Sequence, residues 1–367
     1  MPTAKDFSET GKGCRAIRHD NSHPDCSPEA GFLESFVQRY PLRILETLLC
    51  DRTTGKNIIW ADGEYGELGE GYGGDDEITI ERITGVRSGV IKPRVAKELE
   101  RQSLRTKSRA EVFTPSWLVN QMNNYLDEDW FGRTGVFNVE VEDSWETTPE
   151  GIEFPKARGR GWHAYVESTR LEITCGEAPF ICSRYDAATG SEIPVRDRVG
   201  ILDRKLRVVS ENCRTRKTWY KWALAALKAT YGYEYQGDNL LIARINVFET
   251  IGEYLVNCWG DGLSLEEMDE VAWIVSWNFW QMDGLKCTPP TNVEGAVVQS
   301  LLPGFDVPDP EPIQLSLFDG LEGFEAFSNK PSADEKLRET VPLCIIYDWE
   351  NNEPFEFAAL KGGSMLS

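Results

Sequence analysis

The sequence predicts an α/β fold, a mostly parallel sheet with helices on both faces, preceded by a mainly helical N-terminal extension. Three observations carry this. Short apolar runs ending in turns or acids at 163–175, 231–234 and near 283 fit buried parallel strands. Stretches of helical apolar spacing separate them, so strands alternate with helices. A hydrophobic content of 41% over 367 residues suffices for one large packed domain, or a core domain with an appended one.

Residues 1–27 are polar and read as a tail. Cys14, His19, His23 and Cys26 lie close together there, but without the paired Cys-x-x-Cys spacing of zinc sites. A polar tail is the preferred reading, and no metal is expected. Residues 28–110 form the extension. In it "FLESFVQRYPLRILETLL" has helical spacing interrupted at Pro41. "GEYGELGEGYGGDDEITI" is a Gly/Glu-rich loop leading into a short strand. No Lys follows its glycines and its acids would repel an anion, so it is not a phosphate loop.

Residues 111–285 are the expected main domain. In "AEVFTPSWLVNQMNNYLDEDW", Thr114 is the expected cap and Pro115 the first residue of an amphipathic helix. A strand is expected over 163–175 and a helix over 178–188. "TRKTWYKWALAALKATYG" reads as a helix, "YGYEYQ" as a strand ending in Glu234, and "GDNLLIARINVFETIGEYLVNCW" as the next helix. Ser264 and Glu267 form a capping-box pattern ahead of a helix that gives way to a short strand ending near Asp283. Residues 286–340 are an acidic, Pro/Gly-rich linker or surface excursion. Residues 341–367 carry two strands around "ENNEP", a hairpin.

The net charge of −21 disfavours a protein that coats nucleic acid generally. The charge is uneven. Residues 151–221 hold 14 Lys/Arg and 9 Asp/Glu, a net of +5, so the remainder carries −26. Any DNA contact is therefore expected through the 151–221 region. The nine scattered cysteines read as reduced thiols. No apolar run is long enough for a membrane span and the N-terminus lacks a signal-like core, so a cytoplasmic location without membrane contact is expected.

Four stretches occur in a telling order: "VFTP" (112–115), "LEITCGEAPF" (171–180), "YGYEYQGDNLLIARIN" (231–246) and "WQMDGL" (280–285). Singly, each has a plain reading: a helix cap, a strand–turn, a solvated strand end, an Asp-Gly turn. Together they resemble the cofactor half of the adenine-specific DNA methyltransferases, especially restriction–modification subunit M, over roughly residues 28–360. The resemblance implies a Rossmann-like S-adenosylmethionine-dependent methyltransferase fold with S-adenosylmethionine as cofactor. It implies that Glu172, Cys175, Gly176 and Phe180 belong to the cofactor turn, where Glu172 would meet the ammonium group. Glu234 would hold the ribose hydroxyls and Asp283 the adenine amino group. Phe113, Thr114 and Pro115 would close over the methionine end. Ala178 departs from the family's second glycine, and alanine lacks glycine's freedom at positive φ. The 62 residues between Glu172 and Glu234 also exceed one crossover. The excess includes "VRDRVGILDRKLRVVSENCRTRK", expected to face DNA or form a solvated hairpin.

The family's acceptor–Pro-Pro–aromatic tetrapeptide, which clamps the flipped adenine, does not occur. The one Pro-Pro, Pro289–Pro290, lacks both flanking groups and reads as a loop. No catalytic residue is therefore assigned. "QLSLF" resembles the peptide by which DNA-processing proteins dock on the replication sliding clamp, with Gln314, Leu317 and Phe318 as contacts; folding back as a strand is the plain alternative. The expected function is the cofactor-binding part of a site-specific adenine methyltransferase, completed by a second methyltransferase or specificity chain. The alternative is a non-catalytic, methyltransferase-like interaction protein acting through its acidic surface or the clamp-type peptide.

Overall fold

A computed structural model describes residues 31–97, 114–290 and 342–362. Phe113, Gln314, Leu317, Phe318 and the Cys14–Cys26 cluster lie outside the described residues.

Helices α1 (Phe32–Arg39) and α2 (Leu42–Leu49) are divided at Tyr40–Pro41, since a proline ring ends the preceding helix. Their apolar stripes, including Leu33, Phe36, Ile44 and Leu48, are fully buried. The acidic loop contains a single antiparallel bridge, Ile59 to Glu77, where a short strand was expected, and a one-turn helix α3 (Ile80–Ile83) follows. Next come α4 (Ser116–Phe131), the antiparallel pair β1 (Asn138–Val141) and β2 (Ser144–Thr147), and α5 (Trp162–Glu167).

The centre is a three-stranded parallel sheet in the order β3 (Arg170–Glu172), β4 (Thr230–Glu234), β5 (Phe279–Gln281). Leu171 lies beside Tyr231, and Tyr233 beside Trp280. The first crossover holds α6 (Ile201–Asn212) and α7 (Arg216–Lys228), the second α8 (Gly237–Trp259) and α9 (Leu265–Asn278). Ser264 accepts from the Glu267 N–H at 3.2 Å while Glu267 accepts from the Ser264 N–H at 2.8 Å, the expected capping box. The extension is tied to the sheet: Ile59 exchanges hydrogen bonds with the side chain of Gln281, at the end of β5, at 2.9 and 2.8 Å. A Cβ on Gly237, the first residue of α8, would lie 2.0 Å from the Ile59 carbonyl oxygen, so only glycine lets the Ile59 backbone approach. One hydrophobic cluster runs from Leu33 to Phe279.

Four expectations are corrected. Among the described residues the α-helices lie on one face of the sheet only. Successive crossovers of one hand moving one way across a sheet lay their helices on the same side. The other face carries Tyr231, Tyr233 and Trp280, covered by the hairpin β6 (Ile345–Asp348) and β7 (Glu353–Glu356) and by the short 3₁₀ helix after it (Phe357–Gly362) through Phe357. That cover stops short of β3, whose Leu171 is 41% exposed; Ile173, just past its end, is 59% exposed. The strand expected over 163–175 begins as helix α5, and only Arg170–Glu172 pairs. No helix forms over 178–188; the segment is turns closed by a Tyr185–Glu192 bridge. Its apolar spacing misleads because residues 181–184 are all buried, Arg184 included, through pairing with Glu249 at 2.6 Å and Glu253 at 2.5 Å. The basic stretch from 195 is neither hairpin nor wholly solvated: it contains α6, with Arg198, Arg204 and Lys205 buried.

No helix among the described residues is long and apolar enough to cross a membrane. The seven described cysteines are free thiols.

Candidate functional site at the carboxyl end of the sheet

Glu172 and Glu234 end adjacent parallel strands, which aims both carboxylates at the turn after β3. The turn is left-handed at alternate residues: Thr174 at φ 50°, Gly176 at 54° and Ala178 at 64°. Ala178 thus adopts the conformation its missing glycine would have supplied, and is fully buried in doing so. The Cys175 N–H continues the ladder to the Tyr233 carbonyl at 2.8 Å. The Gly176 N–H donates to Glu234 Oε2 at 2.8 Å, and Oε1 accepts from Tyr235 and Gln236 N–H at 2.9 and 3.1 Å.

The two glutamates differ in satisfaction. Glu234 uses three of the roughly four acceptor positions of a carboxylate. Glu172 Oε2 is buried with no hydrogen-bond partner. Burial, and then the neighbouring Glu234 charge, pushes the Glu172 carboxyl well above its usual range. Burial also raises Glu234, against its three N–H donors. The Cys175 thiol is raised by burial and by both glutamates, so it stays neutral and is no nucleophile. Two crowded carboxylates, one with an orphaned oxygen, favour a cationic or hydroxyl-bearing ligand over an anion.

The remaining expected residues are placed as follows. Phe180 is partly buried, and its carbonyl accepts from the Ile201 N–H at 2.8 Å and Asn123 Nδ2 at 3.1 Å. Thr114 does not cap α4. Pro115 takes the cap position without a side-chain bond, and Asp186 does the capping, accepting from the Ser116 N–H at 2.8 Å. Burial alone would raise Asp186, but the Ser116 and Thr189 donors hold its carboxyl below the usual range. This bond ties "TP" to the loop that follows the cofactor turn. Asp283 sits in its own turn, where Oδ1 accepts from Leu285 and Lys286 N–H at 3.0 and 3.2 Å. Oδ2 lies 3.6 Å from Lys286 Nζ. Pro289 and Pro290 are buried in the loop beyond.

Two acids were overlooked in the sequence. Glu177, next to Ala178 in the turn, accepts from the Arg94 N–H at 2.6 Å and the Tyr185 hydroxyl at 2.7 Å, locking the turn to the extension. Asp238, in the first turn of α8, is 1% exposed and binds Tyr65 Oη at 2.7 Å and Lys97 Nζ at 3.0 Å. Its position at a helix N-terminus after a strand-end acid was the available signal. No metal-ligating cluster occurs among the described residues. No family model, curated protein or solved structure matches the chain.

Proposed function

We propose that this chain is the S-adenosylmethionine-binding part of a site-specific adenine DNA methyltransferase of a restriction–modification system, on a Rossmann-like methyltransferase fold. A partner chain would supply the adenine clamp and target recognition. The observation that carries the reading is the Glu172–Glu234 pair at the carboxyl end of parallel strands, the usual ligand end of open α/β sheets, with an orphaned acceptor in want of a positive charge.

The cofactor, when bound, supplies an electrophilic methyl on a sulfonium. The chain's residues bind and orient it: Glu172 receives the ammonium group, Glu234 keeps one acceptor position for a ribose hydroxyl, and the Thr114–Pro115 segment borders the methionine end. Asp283 would take the adenine amino group with the lone pairs its turn leaves free. The need for a partner is supported by β3. Its ladder to β4 uses the backbone of Arg170, which donates to the Ala229 carbonyl at 3.0 Å, so by alternation Leu171 and Ile173 turn theirs to the outer edge. Among the described residues β3 is an edge strand, and such an edge, with Leu171 exposed on it and Ile173 just beyond, invites a further strand and an apolar cover.

Calorimetric titration with S-adenosylhomocysteine tests the reading, using the parent, Glu172→Gln and Glu234→Ala, each checked by thermal melting. Micromolar binding that both folded variants lose is expected. A parent that stays silent at millimolar ligand sinks the proposal and leaves the interaction-protein alternative.

A further inference from the structure

Two segments distant in sequence meet on the opposite side of the molecule. Residues 154–166 contain Lys156, Arg158 and Arg160 and no acid; residues 212–233 contain five Lys/Arg and no acid. Helices α5 and α7 join them. The Trp162 and Trp222 rings lie 4.9 Å apart edge-on. The His163 ring stacks on Trp162 at 3.6 Å and lies 4.4 Å from Trp222. His163 is exposed and both tryptophans are half-buried. Arg216 is spent on Glu267 and Asp261, while Lys156, Arg158, Arg214, Lys217 and Lys221 are exposed and in no ion pair among the described residues.

This ridge is at the amino end of the sheet. α5 leads into the first residue of β3. α7 starts beside Asp261, after the end of α8, and stops one residue before β4. The acidic turn and the basic ridge are therefore separate places.

We propose that the α5–α7 ridge binds single-stranded nucleic acid, with phosphates on Lys156, Arg158, Lys217 and Lys221 and a base stacked on the His163–Trp162–Trp222 cluster. Cations alone would serve any polyanion. Surface aromatics set among them select unpaired bases, which every strand offers as flat π faces. A duplex keeps its bases stacked and presents only phosphate here. The proposal shares with the methyltransferase reading its nucleic-acid partner and the basic 151–221 region, but its experiment contains no cofactor, so the two fail separately.

The test is fluorescence anisotropy of a labelled oligothymidylate with the full chain across a salt series. Lys217→Glu/Lys221→Glu should weaken binding by about tenfold or more and flatten the log–log salt slope by about 1.4, roughly 0.7 per lost phosphate contact. His163→Ala should weaken binding several-fold with the slope unchanged, the mark of a lost stacking contact. Lys286→Glu, exposed at the other end of the sheet, should bind like the parent. All four positions are exposed, and thermal melts confirm folding. The proposal is overturned if the parent ignores the oligonucleotide at low salt, or if the double variant binds normally. Tighter binding of a duplex of equal length, or of phosphatidylserine vesicles, with the same loss on charge reversal also overturns it.

Discussion

A buried lysine and a half-buried glutamate stand at opposite ends of the same three strands, and the fold treats them differently. At the amino end Lys205 is 1% exposed, yet its Nζ meets the Ser168 carbonyl at 2.6 Å, the Ala229 carbonyl at 3.0 Å and Thr230 Oγ1 at 3.4 Å. At the carboxyl end Glu172 has a buried oxygen without a partner and a second carboxylate nearby. Burial pushes both away from their charged forms, Lys205 well down and Glu172 well up. A buried polar group with all its partners in place is structural; one left short points to something that arrives later. Lys205 stitches the starts of β3 and β4 to α6. Glu172 keeps one oxygen without a partner, the position proposed for the ligand's ammonium group.

The sharpest way to break this contrast is at Lys205. Lys205→Met keeps the apolar stem but leaves the Ser168 carbonyl without its donor, while the Ala229 carbonyl keeps the Arg170 N–H. An unsatisfied buried group costs about 1–3 kcal/mol, so a loss of about 2 kcal/mol is expected in urea unfolding. A loss under about 1 kcal/mol would mean that the lysine is dispensable to the fold, and the two ends would no longer differ in kind.

Glu172→Gln should do the reverse, and its pH dependence identifies the cause. Because folding raises the Glu172 pKa above its ordinary 4.5, the fold favours the protonated acid. The stability this gives is complete below 4.5 and is lost as pH rises through the folded-state value. Glutamine imitates the protonated form without titrating. Parent and variant should therefore melt together at about pH 4, and the variant should melt higher at about pH 8. A gap of equal size at both pH values would trace the effect to packing rather than to charge. With S-adenosylhomocysteine present, the variant should forfeit the ligand-induced rise in Tm that the parent gains.

Much of the scaffold was legible because it is local. The break at Pro41, the Ser264–Glu267 box, the strand ending at Glu234 and the hairpin around "ENNEP" each follow from a few adjacent residues. The 173–200 loop was not legible. Its buried Arg184 answers Glu249 and Glu253, and its Asp186 caps a helix 70 residues earlier. Periodicity counts such residues as solvated and so draws a helix. The same blindness turned α6 into a basic surface, when its Arg204 spends its charge on Asp127, 2.5 Å away. At the candidate site the strand-end acids could be read in the sequence. That Glu172 would lack a partner and Glu177 possess two could not, because partners come from other strands and from the extension.

The smallest effect is expected where the sequence looked most irregular. Ala178 at φ 64° carries about 1 kcal/mol of left-handed strain, which glycine would relieve. Glycine would also remove a fully buried methyl, worth about 0.8 kcal/mol, and would loosen the unfolded chain by about 0.4–1 kcal/mol. The losses slightly outweigh the relief, so Ala178→Gly should leave stability within about 1 kcal/mol of the parent, on the less stable side. The turn's geometry would then be set by its anchors, Gly176 to Glu234 and Glu177 to Arg94 and Tyr185, rather than by a second glycine. A gain above about 1 kcal/mol would instead show that the alanine strains the turn, and ligand affinity should then rise with it.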